Sequence, residues 1–227
     1  MWKWEPRAEP STFWRLASPL LALGLTVVLG VILFLALGKD PVKGLQVFFW
    51  EPIRSGYALG ELVVKATPLL LIALGLALCF RSNVWNIGAE GQYVMGAVFA
   101  TGVALWADKT SGAWFFIPVL LAGSVGGMGW AAIVAWLRDR FHANEILVSL
   151  MMVYVAIMVL GYLVYGPWKD PNGYNFPQTQ TFAVATQIPR LFSGWRVHVG
   201  TLFALVGGAV LWVFLFRSEE HTSELQS

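Results

Sequence analysis

The sequence predicts an all-α fold, a polytopic transmembrane helical bundle with about six membrane segments. Two observations carry this prediction. Of the 227 residues, 57% are hydrophobic and only 12% are charged, whereas soluble domains contain roughly 25% charged residues. In addition, uncharged apolar runs of about 20 residues recur along the chain, and an α-helix needs about this length to cross the hydrocarbon layer of a membrane. The lipid bilayer is therefore the first partner that the sequence implies.

The first membrane segment is predicted at residues 16–37, which carry no charge over 22 residues. The polar residues 1–15 before it form a separate N-terminal segment. The apolar run is too long for the core of a signal peptide, and no small-residue cleavage site follows it, so we expect a retained helix. Arg138 and Arg140 share a short loop later in the chain, and short basic loops favour the cytoplasmic side. This charge pattern predicts a cytoplasmic N-terminus.

The second and third segments are interrupted by a polar stretch. Their uncharged pieces, 66–80 and 91–107, contain 15 and 17 residues and reach only about 22–26 Å as helices. The residues between them, RSNVWNIGAE at 81–90, predict a discontinuous helix region near 81–92. Non-helical backbone at membrane depth is tolerated only where it faces protein or a water-filled cavity. In transporters, such broken helices line the solute site.

Three further segments are predicted at 114–137, 146–168 and 199–216. The first contains Gly123 and Gly127, a GxxxG step that is typical of close helix packing. Asn144 is expected to cap the start of the second. Residues 166–197, which include four prolines, predict a long external loop.

The predicted helix break holds the one dense polar cluster within the apolar sequence: Asn83, Trp85, Asn86, Glu90 and Gln92. Polar groups inside a membrane are costly and usually face a cavity or a partner. We therefore interpret the cluster as a solute pathway, in which the amides bind ribose hydroxyls or a base edge and Trp85 offers a stacking face. The alternative is an ordinary loop between two complete helices, in which Glu90 pairs with Arg81 or stabilises a helix start.

Several classes of function are excluded or disfavoured. The sequence has no GxxxxGK[ST] loop, no HExxH and no GxSxG motif, so we predict neither an enzyme nor any catalytic residue. Its single cysteine, Cys79, excludes an internal disulfide, and we predict no metal site and no cofactor. The net charge of +2 is dispersed, which argues against nucleic-acid binding.

Three motifs then resemble one known family. The run ELVVKATPLLLIALGLALCFRSNVWNIGAEGQYVMGA at 61–97 resembles the permeases of ABC importers for nucleosides, simple sugars and branched-chain amino acids. Within it, NIGAEGQ followed by Gly96 is most similar to the nucleoside and simple-sugar branch. HANEILVSLMMVYVA at 142–156 and YGPWKDP at 165–171 are similar to the same branch, in the same order. The resemblance covers roughly residues 16–216.

The resemblance implies a permease subunit in the cell inner membrane. It implies pairing with a second permease subunit, an ABC ATPase subunit that hydrolyses ATP, and an extracytoplasmic solute-binding lipoprotein that delivers the solute. It also favours a solute pathway beside 83–92. We expect nucleosides as substrates, with simple sugars or branched-chain amino acids as alternatives. Val153 stands where many relatives carry Asn, so no polar role is carried over to that position.

Two other classes of function stay open, namely an ion-coupled secondary transporter that uses Glu90 and a non-transporting membrane scaffold. The C-terminus departs from the family, whose members continue through more helices and a Gly- and Ala-rich segment that docks on the ATPase. Here SEEHTSELQS at 218–227 resembles translated sequencing-adapter read-through. We therefore expect a permease domain at 16–217 that is incomplete at its C-terminus, followed by a non-native tail.

Overall fold

The computed structural model describes residues 11–108 and 110–224. Within these residues no β-strand occurs, and seven α-helices account for most of the chain. They are α1 (Thr12–Ala36), α2 (Pro41–Leu45), α3 (Gly56–Arg81), α4 (Ala89–Ala104), α5 (Phe116–Phe141), α6 (Glu145–Tyr165) and α7 (Val199–Glu224). Short 3-10 or π-helical turns lie at Gln46–Trp50, Glu51–Ile53, Ala113–Phe115 and Val184–Thr186. The predicted all-α fold is confirmed.

In the described part of the chain, four helical stretches are long and apolar enough to cross a membrane: Phe13–Ala36, Gly56–Arg81, Ala113–Phe141 and Glu145–Tyr165. A shorter apolar stretch occupies Val199–Leu215. Most large apolar side chains of these helices are exposed, while the buried hydrophobic residues are few. In water such a surface would be strongly unfavourable, but in lipid it is the expected exterior. The predicted polytopic membrane bundle is therefore confirmed.

Helix α3 is longer than the uncharged run from which it was predicted. It begins at Gly56 rather than near Ala66 and continues through the exposed Lys65. Its 26 residues reach about 39 Å, enough for a full crossing. A lysine can bury its apolar stem and direct its ammonium group toward the polar interface, so a single Lys does not end a membrane helix. Helix α4, with 16 residues, is shorter than a full crossing requires.

The chain divides into two compact units, Met1–Leu62 and Val63–Ser227. In the described part of the first unit, Asp40 caps α2 by accepting hydrogen bonds from the amides of Val42 and Lys43. There Gly44 lies so close to the Phe34 ring that an added Cβ would be 2.7 Å from it. This contact joins α2 to the end of α1.

In the second unit, α4 packs against both α5 and α6. The core at this junction consists of Met95 and Val98 of α4 and Ala156 of α6. The indole Nε1 of Trp130 donates a 3.3 Å hydrogen bond to the carbonyl oxygen of Met152, which links α5 to α6. Asn144 caps α6 through the amides of Ile146 and Leu147, as the sequence predicts.

Helices α4 and α5 approach each other through small residues. A Cβ added to Gly96 would lie 3.0 Å from the Gly123 carbonyl oxygen, and one added to Gly127 would lie 3.2 Å from the Gln92 carbonyl oxygen. Both glycines of the GxxxG step, Gly123 and Gly127, therefore lie against the α4 backbone. That these glycines govern the association of the two helices stays a prediction.

The predicted segments at both ends of the chain extend beyond the described residues. Residues 1–10 of the predicted N-terminal segment, and 225–227 of the predicted tail, lie outside the described residues. Helix α7 continues to Glu224, so the backbone at 218–224 is helical. The non-native origin of 218–227 stays a prediction.

Candidate functional site at the break between α3 and α4

Helix α3 ends in a hydrogen-bonded turn built around Asn83. This residue has a φ of 55°, in the left-handed region that Asn tolerates better than most residues. The Val84 amide donates to the Cys79 carbonyl oxygen at 2.8 Å, and the Asn83 amide donates to that of Phe80 at 3.1 Å. These two bonds form a Schellman motif, which satisfies carbonyl groups that the helix end leaves open. Residues 82–88 that follow are not α-helical.

The side-chain amides of Asn86 and Gln92 form a reciprocal pair. Asn86 Nδ2 donates to Gln92 Oε1, and Gln92 Nε2 donates to Asn86 Oδ1, both at 3.2 Å. Asn86 Oδ1 also accepts a 3.0 Å bond from the Gly88 amide. Both side chains are half-buried. The connection between the helices is thus held to the first turn of α4 by neutral polar groups.

The other three predicted site residues occupy different surroundings. The Trp85 ring lies against Phe80 of α3, with 5.5 Å between the ring centroids, and 52% of Trp85 is exposed. Glu90 is exposed in the first turn of α4, where the helix dipole favours a negative charge. The structure therefore brings Asn86 and Gln92 into direct contact and places Asn83 at the end of α3. The assignment of all five residues to a solute pathway stays a prediction.

Close packing against α6 fixes the start of α4, and sequence reasoning missed the residues responsible. A Cβ added to Gly88 would lie 2.8 Å from the Ser149 Cβ, and one added to Gly91 would lie 2.9 Å from the Val153 Cα. Ser149 is fully buried and its hydroxyl donates to the Ile146 carbonyl oxygen. The three-residue spacing of Gly88 and Gly91 puts both on one helical face, and this spacing was the available signal.

No group of three or more His, Cys, Asp or Glu residues that could hold a metal ion occurs in the part of the chain that the structure describes. The site instead offers amide donors and acceptors, an aromatic face and one exposed carboxylate. This chemistry suits the binding of a polar organic solute.

The described part of the chain is thus a multi-pass helical membrane protein with paired polar side chains at the connection between α3 and α4. The chain belongs to the family described as the permease component of branched-chain amino acid transport systems, which it matches over residues 58–219. This match confirms the family resemblance that the sequence motifs indicated. No solved structure matches the chain.

Several curated proteins are similar to it. The chain is 36% identical over 225 residues to the glucose ABC transporter permease protein of Haloferax volcanii, and the alignment covers 94% of this chain and 58% of that protein. It is 26% identical over 205 residues to the guanosine ABC transporter permease protein of Bacillus subtilis, covering 90% and 59%. The nucleoside ABC transporter permease protein of Lactococcus lactis is also 26% identical, over 90% of this chain and 58% of its own length. The chain thus spans less than two thirds of each of these relatives.

Proposed function

We propose that this chain belongs to the transmembrane permease subunit of an ATP-driven importer that moves nucleosides or related small polar solutes across the cell inner membrane. The observation that carries the proposal is the half-buried Asn86–Gln92 amide pair at the helix break of a chain of this permease family. Two curated relatives named for guanosine and for nucleosides support the choice of solute.

The amide pair has hydrogen-bonding capacity suited to a neutral solute. Each amide NH₂ has two donors and each amide oxygen has two lone pairs. The bonds described above use one N–H of each side chain, both lone pairs of Asn86 Oδ1 and one lone pair of Gln92 Oε1. Two N–H groups and one lone pair are left to bind hydroxyls or a base edge. The exposed part of Trp85, whose ring lies against Phe80, can stack on a flat ring.

The remaining residues of the proposed pathway serve it in different ways. Asn83 ends α3 and so sets where the non-helical connection begins. Glu90 either contacts the solute directly or stabilises the start of α4. These two roles of Glu90 are distinguished by Glu90→Gln, which removes the charge and keeps the size.

The proposal includes the partners of an ABC importer. The energy comes from a separate ABC ATPase subunit, because this chain carries no GxxxxGK[ST] loop. A second permease subunit completes the pathway, and an extracytoplasmic solute-binding lipoprotein delivers the solute. The N-terminus lies in the cytoplasm, since Arg138 and Arg140 then lie on the cytoplasmic side, near the loop before α6.

A simple sugar is the second candidate solute. It is favoured by the 36% identity to a permease protein named for glucose, over 94% of this chain. Sugars and nucleosides share hydroxyl groups, so the same amide pair can bind either. The family description names branched-chain amino acids, which makes them a third solute to test.

The deciding experiment measures solute uptake by the full-length permease with its ATPase, partner permease and binding lipoprotein in proteoliposomes. Radiolabelled nucleoside, hexose and leucine are compared with and without internal ATP. We expect ATP-dependent nucleoside uptake that Asn86→Ala and Gln92→Ala reduce at least tenfold. The matched control is Asn172→Ala, which changes an exposed loop asparagine.

Other outcomes would replace the proposal. Uptake of hexose but not of nucleosides would establish a simple sugar as the substrate. Uptake of leucine alone would overturn both the nucleoside and the sugar hypotheses. Uptake that ignores ATP and follows a proton or sodium gradient would indicate secondary transport. Unchanged uptake in both amide variants would show that the solute pathway does not pass the Asn86–Gln92 pair. If no solute is taken up, a non-transporting scaffold would be favoured.

A further inference from the structure

A cavity of about 600 Å³ lies within the second unit. Its walls come from α3, from Tyr93 of α4, from the first turns of α5 and from the start of α7 with the loop before it. On α3 the wall includes Thr67, which lies 14 residues before the end of the helix at Arg81. That separation corresponds to about 21 Å along the helix axis. Asn86 and Gln92 do not line the cavity, whereas Tyr93, the residue after Gln92, does, so the cavity is a separate site that adjoins the same helix, α4.

We infer that this cavity is a binding site for an uncharged solute rich in hydroxyl groups, such as a nucleoside or a sugar, and that it discriminates against zwitterionic amino acids. The inference rests on the proposed import function and deepens it, because it assigns a solute class and a second binding site on the route.

Among the described residues, the side chains that line the cavity include no Asp, Glu, Lys or Arg. A zwitterion that enters an apolar cavity loses hydration at both its ammonium and carboxylate groups. Opposite charges or several hydrogen bonds must offset the free-energy cost of this desolvation. The lining offers no opposite charge. A nucleoside or hexose carries no charge and needs only hydrogen bonds.

Polar groups in the wall supply such bonds. Pro68 has no N–H, so the Val64 carbonyl lacks the helical donor that it would otherwise have, and both residues line the cavity. His198 Nδ1 accepts a 3.1 Å bond from the Gly200 amide, which leaves the ring proton on Nε2 in the neutral form. The Tyr93 hydroxyl can both donate and accept. The wall thus contains an acceptor, a donor and a group with both properties.

Thr67 positions the wall. Its hydroxyl donates to the Val63 carbonyl oxygen at 2.8 Å and lies 2.9 Å from the Thr201 hydroxyl. Because the single proton of Thr67 is directed to Val63, Thr201 is the donor of the second bond. This bond joins α3, which carries Val64, to the first turn of α7, which directly follows His198, so these two parts of the wall are held in one arrangement.

The size and the apolar lining also fit. Small-molecule pockets usually occupy about 300–1,000 Å³ and are lined by aromatic and aliphatic side chains with a few placed polar groups. Here Phe116 and Leu120 of α5 and Phe203 of α7 provide the apolar surface. Aromatic faces suit both a nucleobase and the C–H face of a sugar ring.

The test uses thiol protection in the complete full-length complex. Cys79 and any other cysteine are replaced by serine, and Leu120→Cys is introduced into the cavity wall. Leu121→Cys is the matched control, since the next residue of α5 is exposed and does not line the cavity. Labelling by a membrane-permeant maleimide is measured with the loaded binding lipoprotein and saturating guanosine, glucose or leucine.

We expect guanosine or glucose to slow labelling at Leu120→Cys at least fivefold, with leucine inert and Leu121→Cys unaffected. In parallel, Leu120→Trp fills the cavity and should reduce uptake at least tenfold, whereas Leu121→Trp should not. Equal protection by leucine, or no protection by any solute, overturns the inference. If uptake by the unmodified complex is intact while protection is absent, this inference alone has failed; if the unmodified complex takes up no solute, the proposed function has failed.

Discussion

Asn86 and Gln92 exchange two side-chain hydrogen bonds of 3.2 Å across the start of α4. The pair spans six residues and closes the non-helical connection onto the helix that follows it. Asn86 also accepts from the Gly88 amide, so one side chain organises both the turn and the helix start. The stability of the break and its proposed binding role therefore depend on the same two residues.

A double-mutant cycle on this pair measures how strongly the two amides are coupled. Each of Asn86→Ala and Gln92→Ala removes both mutual bonds, and each leaves the partner's half-buried amide without them, at a cost of about 1–3 kcal/mol. The double variant should lose about 1 kcal/mol less than the sum of the single variants. Thermal unfolding of the purified full-length permease in nanodiscs checks this. Strict additivity would show that the two amides are not energetically coupled.

Substitutions of Asn83 separate its backbone role from a role in solute binding. Glycine adopts the left-handed conformation without strain, whereas alanine is disfavoured there by about 1 kcal/mol. We expect Asn83→Gly to keep the thermal stability and Asn83→Ala to lower it. If Asn83→Gly folds normally but transports at least tenfold more slowly, the amide side chain itself contacts the solute. Retained transport would limit Asn83 to ending α3.

Gly88, the N-cap residue of α4, lies close to Ser149 of α6. In Gly88→Ala the new Cβ would lie 2.8 Å from the Ser149 Cβ and 2.9 Å from its carbonyl oxygen. One of these atoms is backbone, so the helices must separate, and overpacking of this kind typically costs about 1–3 kcal/mol. Gly161→Ala on α6 is the control, because nothing lies within 4 Å of its added Cβ. Equal melting temperatures for the two variants would contradict the close approach.

Much of the fold could be predicted because membrane helices are encoded by local composition. Helix α1 (Thr12–Ala36) matches the uncharged run at 16–37, and α6 begins next to its predicted cap, Asn144. The uncharged run predicts that α3 starts just after Lys65, about ten residues later than the observed start at Gly56. The difference arises because a membrane helix can accommodate a lysine, whose flexible side chain reaches the polar interface. Composition cannot distinguish a charge that ends a helix from one that lies along it.

The site was predicted as a set of residue types and not as a geometry. The polarity of 83–92 in an apolar context was visible in the sequence. The pairing of Asn86 with Gln92 was not, because it depends on the turn that Gly88 makes between them. The contact of Gly88 with Ser149 joins residues far apart in the chain, and no local pattern encodes it. The cavity beside Thr67 likewise depends on tertiary packing.

Protonation of Asp108 should loosen the loop between α4 and α5. Hydrogen bonds from Thr110 and Ser111 hold the pKa of the Asp108 carboxyl below its usual value of 3.8. Because the folded-state pKa is depressed, the stabilisation is complete above the unfolded-state pKa and is lost as the pH falls through the folded-state value. Loop order should therefore be constant from pH 7 to about pH 5. Amide hydrogen exchange at Thr110 checks this, and Asp108→Ala should raise exchange across that whole range.

Gly127 and Gly129 lie two residues apart on α5 and test the packing of that helix against α4. An added Cβ at Gly127 would be 3.2 Å from the Gln92 carbonyl oxygen, whereas at Gly129 nothing lies within 4 Å. Gly127→Ile adds branched bulk where two backbones meet, so we expect a loss of about 1–3 kcal/mol and a displaced Gln92. Gly129→Ile places the same side chain in open space and should change stability by less than about 1 kcal/mol. The comparison is made by thermal unfolding and by uptake. Gly127 lies close to the backbone of Gln92. Loss of uptake in Gly127→Ile, at a temperature where the protein stays folded, would therefore link this helix contact to the proposed pathway. Intact uptake would show that the contact and the pathway are independent.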